Sequence, residues 1–182
     1  MVRSLLIGAA LATASFLISC PSGQAMELTS PDFTHGARLA LAQVNGRCGG
    51  QNQSPVLNWS GAPASVGSYA LTLFDSDANH GRGFWHWLVV NIPPGAAGLS
   101  GGAGSGPGLP AGTLQAKNDF GDSAYDGPCP PSGSGPHHYE FTLYALGAAS
   151  VALSPETKDG ELAAWLKSHA LATATLTGTY RR

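Results

Sequence analysis

Charge is scarce in this chain. Only 11% of its 182 residues are Asp, Glu, Lys or Arg, and the formal net charge is -2. Nucleic-acid binders carry a clustered basic excess, so that class is set aside. Cysteine is scarcer still, at three residues. Cys48 and Cys129 alone fall short of a zinc site, which takes four N/S ligands as a rule. No serine stands in a Gly-x-Ser-x-Gly elbow, and neither cysteine has a catalytic sequence signature. The apolar run from Leu5 to Ile18 is shorter than the roughly 20 residues that a membrane span needs. The glycine-rich stretch 93–112 is no phosphate cradle either. Pro107 falls where a third glycine should follow Gly102 and Gly104, and no Gly-Lys-Ser/Thr follows.

The apolar run instead reads as a targeting segment. Arg3 supplies a positive start, and Gly23-Gln24-Ala25 is a small-x-small cleavage site. Residues 1–25 are then a signal peptide, and 26–182 are a single domain beginning at Met26. Leu17-Ile18-Ser19-Cys20 also resembles a lipobox, with Cys20 as the lipidated residue. Either route predicts an exported chain, periplasmic or secreted, with no transmembrane span once mature. Export leaves Cys48 and Cys129 in an oxidising compartment, where they pair or stay as buried thiols. Pairing would stabilise by about 4 kcal/mol from loop-closure entropy.

Gly 25 and Pro 13 make a turn-rich, mostly β chain. Glu27 to Ala40 reads as a short strand, a Ser30-Pro31 break and a second extended piece, and 45–60 as a loop ending in a strand. Tyr69, Leu71, Leu73 and Asp75 share one face of a strand by the period of two. Phe84 to Ile92 is a central strand, in which His86 is in phase with Leu88 and Val90. Tyr139, Phe141, Leu143 and Ala145 form another inward set, with His137 in phase and His138 facing away. Ser154-Pro155 opens the one convincing helix, carrying Leu162, Trp165, Leu166 and His169 at helical spacing. A last strand, Ala172 to Tyr180, has a wet face of Thr173, Thr175, Thr177 and Thr179.

Three polar side chains are thereby expected to turn inward: Asp75, His86 and His137. Beside them runs Gly127-Pro128-Cys129-Pro130-Pro131, a loop stiffened by prolines that cannot join a sheet. One carboxylate near two imidazoles, walled by prolines and aromatics, suits a small anion such as phosphate or carboxylate.

Four stretches together resemble the phosphatidylethanolamine-binding protein family, in its exported bacterial Raf kinase inhibitor-like branch. They are Phe74-Asp75-Ser76-Asp77-Ala78, Gly83 to Pro93, Asn118-Asp119-Phe120-Gly121, and Tyr125 to Pro131 with Pro136-His137-His138-Tyr139. The resemblance implies a large Greek-key sheet packed on a smaller one, with a helix and final strand near the C-terminus. It implies a pocket for phosphate-like groups, the phosphoethanolamine head of a lipid included, formed by Asp75, Asp77, His86, Tyr125, Gly127, Pro130, Pro131, His137 and Tyr139. Cys129 would sit at its rim. The family's usual Asp-Pro-Asp-Ala-Pro reads Asp75-Ser76-Asp77-Ala78-Asn79 here, with His80 added beside it.

The expectation is therefore a binding module without enzymatic activity or cofactor, taking an anionic small molecule or lipid head group and acting as an inhibitor of a partner protein. Two alternatives stay open. One is a hydrolase using Asp75, His86 and His137 as acid-base groups. The other is a metal site built from Asp75, Asp77, His80, His86 and His137.

Overall fold

The computed structural model describes residues 25–154 and 157–182. The proposed signal peptide up to Gln24, Cys20 within it, and Pro155 lie outside the described residues.

Two antiparallel sheets build the fold. The larger has five strands in the order β6-β4-β3-β7-β8: β3 is Ser68–Asp75, β4 Phe84–Ile92, β6 Leu114–Gln115, β7 His137–Leu146 and β8 Ala170–Tyr180. The smaller has β1 (Glu27–Thr29), β2 (Leu57–Ser60) and β5 (Gly98–Leu99) in the order β1-β2-β5. The second extended piece expected before Ala40 is not a strand. It contributes only an isolated bridge from Arg38 to Thr179.

The period of two sorts the core. Tyr69, Leu71, Leu73, Phe141 and Leu143 face the smaller sheet and pack with Leu28, Leu57, Trp59 and Leu99. Ala70, Leu88, Val90, Tyr144 and Leu146 face the other way and are covered by Leu162 and Leu166. Those two leucines belong to the helix α2, Asp159–His169. This helix begins four residues after Ser154-Pro155, because Lys158, not Ser154, is its extended N-cap residue. On β8 the even positions Ala174, Leu176, Gly178 and Tyr180 are buried, and the threonines between them are wet or half-buried.

A disulfide joins Cys48 and Cys129, 81 residues apart with Cα atoms 5.6 Å from each other. It ties the loop ahead of β2 to the proline loop ahead of β7. Among the described residues, no helix is long and apolar enough to cross a membrane.

Candidate functional site

A cavity of about 600 Å³ opens where β3, β4 and β7 meet the proline loop. Asp75 ends β3 on the inward face, directly opposite Tyr139 of β7. Its carboxylate is buried but fully engaged. Oδ1 accepts from the backbone N–H of Asp77 (3.0 Å) and Ala78 (3.1 Å), and Oδ2 lies 2.8 Å from Nδ1 of His137. On its other side, the Nε2 of His137 lies 3.0 Å from Oγ of Ser134. The Ser134 hydroxyl donates in turn to the carbonyl of Pro131 (2.9 Å). His137 thus bridges the Asp75 carboxylate and the Ser134 hydroxyl.

Asp77 stands apart from this chain. Its Oδ2 accepts from the backbone N–H of His138 at 2.7 Å and lies 2.8 Å from that ring's Nδ1, near the surface. Burial raises its pKa more than any single neighbour lowers it, but the hydrogen bonds and charge of His138, with His137, together hold the carboxyl below the ordinary value. His138 is exposed, as its phase requires.

His86 reaches the cavity by a route that simple alternation does not give. Leu88 and Val90, its phase-mates in the sequence, face the helix α2, so a regular strand would place His86 there too. The register between β3 and β4 shifts at this point: Leu73 pairs with Trp87, but Phe74 pairs with Trp85. His86 is the extra residue of a β-bulge, and a bulge re-aims a side chain. The ring turns to the inner face, beside Phe84 (5.1 Å), Phe120 (5.6 Å) and Tyr139 (5.4 Å). Its Nδ1 donates to the carbonyl of Asp126 at 2.7 Å. Burial among these rings holds the His86 pKa below its ordinary value, so the imidazole is neutral near pH 7.

Tyr139 is fully buried, and its hydroxyl has no hydrogen-bond partner among the described residues. Burial, reinforced by the neighbouring Asp75 carboxylate, pushes its pKa up, so it keeps its proton. A buried donor without an acceptor is costly. Here it stands in the wall of an open cavity.

Asp75, Asp77, His86, Pro130, Pro131, His137 and Tyr139 all line the cavity, with Cys129 at the same wall. Tyr125 and Gly127 stand behind that wall instead. The Tyr125 hydroxyl donates to the Gln43 carbonyl (2.9 Å), and its ring packs edge-on against Trp87 (5.5 Å). Gly127 donates to Asn52 Oδ1 (2.8 Å), and a Cβ there would collide with the Gln43 carbonyl. Both shape the wall by holding it to the loop that carries Cys48.

Sequence reasoning passed over Phe84, Phe120 and Ser134 as lining residues, and Asn118 as a brace. The buried Asn118 amide donates to the carbonyls of His86 (3.1 Å) and Ala124 (3.2 Å) and to Asp126 Oδ2 (2.9 Å). It accepts from the N–H groups of Phe120 and Asp122 at 3.0 Å each. An Asn-Asp-Phe-Gly run marks an Asx-type turn, but nothing in it points to the strand of the preceding motif.

The remaining wall is the four-residue helix α1, Ala78–Gly81, in which Asn79 (φ 53°) and His80 (φ 60°) adopt left-handed backbone. Proline fixes φ near −65° and cannot occupy position 79 in this turn. Among the described residues, no group of three or more His, Cys, Asp or Glu side chains is gathered as a metal site. Asp75 and Asp77 are each engaged with a different histidine, which breaks up the ligand set considered above.

A model of the phosphatidylethanolamine-binding proteins matches residues 29–181. The chain belongs to the phosphatidylethanolamine-binding protein family. It is 36% identical to the UPF0098 protein YbcL of Escherichia coli K12, over 98% of each chain. The crystal structure of E. coli YbcL, described as a member of the mammalian PEBP family, superposes with a TM-score of 0.83. That match covers 87% of this chain and 99% of the other. A PEBP homologue from Chlamydia trachomatis, CT736, follows at a TM-score of 0.69 and 31% identity, covering 87% and 98%. LppC of Mycobacterium tuberculosis H37Rv, named as a lipoprotein, is 37% identical over 88% of this chain and 74% of its own. Family membership accounts for the two-sheet fold with its late helix and final strand.

Proposed function

We propose that this family member is an exported binding module whose cavity takes a small anionic group, phosphate or carboxylate, free or as the head of a lipid. The observation that carries the reading is the Tyr139 hydroxyl: protonated, buried and unpartnered in a cavity wall. An incoming oxyanion supplies the acceptor it lacks. The carboxylates of Asp75 and Asp77 are already engaged by histidines, which moderates their repulsion of an anion. His86 adds charge as the pH falls, when its free Nε2 gains a proton. Inhibition of a partner protein remains part of this proposal: a partner's phosphate or carboxylate group would enter the same cavity. Export is supported by the disulfide and by the lipoprotein name of a relative.

Calorimetric titration with inorganic phosphate and glycerophosphoethanolamine tests the reading. Binding that weakens as pH rises from 5 to 8, and weakens in Tyr139→Phe and His86→Ala, is expected. Unchanged binding in both variants removes these residues from the site.

A second reading has one observation behind it. Ser134, His137 and Asp75 form a hydrogen-bonded row resembling the serine–histidine–aspartate arrangement of hydrolases. The direction of the row favours binding. Ser134 gives its hydrogen to Pro131, whereas a nucleophile must give it to the histidine. Covalent labelling of Ser134 by a fluorophosphonate, absent in His137→Ala, would establish the hydrolase; an unlabelled chain leaves the binding module.

A further inference from the structure

The face of the large sheet that points away from the cavity carries a second hollow, of about 470 Å³, between the strands and the flank of α2. That volume lies within the roughly 300–1,000 Å³ of small-molecule sites. Alternation separates the two places. Asp75, His137 and Tyr139 turn into the cavity, and their neighbours Phe74 and Glu140 turn into the groove. The bulge that sends His86 inward leaves Trp85 on the outer face. There it stands opposite Phe74 in the register, with ring centroids 4.3 Å apart. The two rings form a half-exposed aromatic floor.

The border of this floor is polar and unsatisfied. Among the described residues, nothing accepts from the Trp85 indole N–H and nothing donates to the Glu140 carboxylate. Lys167, on the helix side, has no acidic partner within ion-pair distance. The hydroxyls of Thr142 and Thr175 lie 3.0 Å apart, with Thr173 beside them in the same wall. Gly160, in the first turn of α2, keeps the hollow open. A Cβ there would stand 4.0 Å from the indole nitrogen and meet nothing closer. No positive φ requires glycine at 160, and glycine is a poor helix former, so the room over Trp85 comes at a cost in helix stability.

We propose that this groove binds a sugar chain, with one pyranose ring laying its C–H face on Trp85 and Phe74. Two sugar hydroxyls donate to the Glu140 carboxylate, and Lys167 and the indole N–H donate to sugar oxygens. A pyranose has an apolar face and a polar edge, which matches an aromatic floor with donors and acceptors at its border. A peptide fits less well. The strands β3 and β7 beneath the groove have neighbours on both sides, so their backbone groups are used within the sheet and cannot pair with a peptide's. Groove and anion cavity lie on opposite faces of the sheet, and either can fail without the other.

Titration of cellotriose and of triacetylchitotriose into nitrogen-15-labelled protein tests it. The chain has four tryptophans, so each indole N–H signal can be followed separately. The Trp85 signal, assigned by its loss in Trp85→Leu, should shift saturably with at least one of the two sugars while the other three hold. Trp85→Leu keeps an apolar cover and Glu140→Gln keeps the shape. By calorimetry each should lose roughly tenfold or more in sugar affinity. Gly160→Leu should abolish binding while Tm holds or rises, because leucine is the better helix former. That combination separates a blocked groove from a damaged fold. Saturating inorganic phosphate should leave sugar affinity unchanged. No indole shift with either sugar, full affinity in Gly160→Leu, or displacement of the sugar by phosphate overturns the proposal. Saturable binding of tetraalanine with neither sugar bound assigns the groove to a peptide and overturns it as well.

Discussion

The Nδ1 of His86 donates to the Asp126 carbonyl at 2.7 Å, which leaves Nε2 as this ring's only nitrogen free to meet a ligand. Because burial lowers the pKa, the unfolded chain takes up this proton first, near the ordinary value of 6.5. The sign is therefore that of a buried neutral base. Stability from this group is complete above pH 6.5 and is lost as the pH falls from there through the folded pKa. Urea unfolding at pH 7.5 and pH 5 should show the loss. His86→Asn, which keeps a donor toward Asp126 and does not titrate, should reduce it.

A bound anion reverses that slope. Phosphate favours charged His86, so saturating phosphate should protect the fold more at pH 5.5 than at pH 7.5, read as the rise in Tm. An equal rise at both pH values would assign the anion to donors that do not titrate.

Tyr125 and Tyr139 should respond in opposite ways. Tyr125→Phe removes a hydroxyl bonded to Gln43 and should cost about 1 kcal/mol of stability while leaving phosphate affinity unchanged. Tyr139→Phe removes an unpartnered hydroxyl, so stability should hold or rise slightly while phosphate affinity falls about tenfold. Denaturant curves and calorimetry on the same samples check both halves.

Reduction of the disulfide should lower stability by about 4 kcal/mol, as closure of so long a loop implies. Cys48→Ser/Cys129→Ser should unfold at a correspondingly lower urea concentration, with or without reductant. A parent chain insensitive to reductant would show that hydrogen bonds such as Asn45 to Asp126 and Gly127 to Asn52 hold the wall by themselves.

Much of this was legible in residue spacing. Alternation along β3 and β7 placed Asp75, His137 and Tyr139 on one face, and it turned His138 outward. Leu162 and Leu166 announced the face that α2 buries. His86 was assigned to the right place for the wrong reason, because a bulge adds a residue to a strand without any mark in the periodicity. Tyr125 and Gly127 were expected to touch ligand. Whether a side chain near a cavity faces it or braces it depends on its partner, here Gln43 in a distant loop, and local pattern carries no trace of that pairing. The later start of α2 has a local cause, since Lys158 takes the extended cap conformation without a side-chain cap bond.

The turn at Asn79 and His80 limits what this wall of the cavity can be built from. With both residues at positive φ, the left-handed path of the backbone shuts proline out of position 79. Asn79→Pro alone would meet a backbone that cannot accept it. A proline in this wall would need the whole 76–83 loop to be rewritten at once, so single substitutions here can change the side chains but not the path.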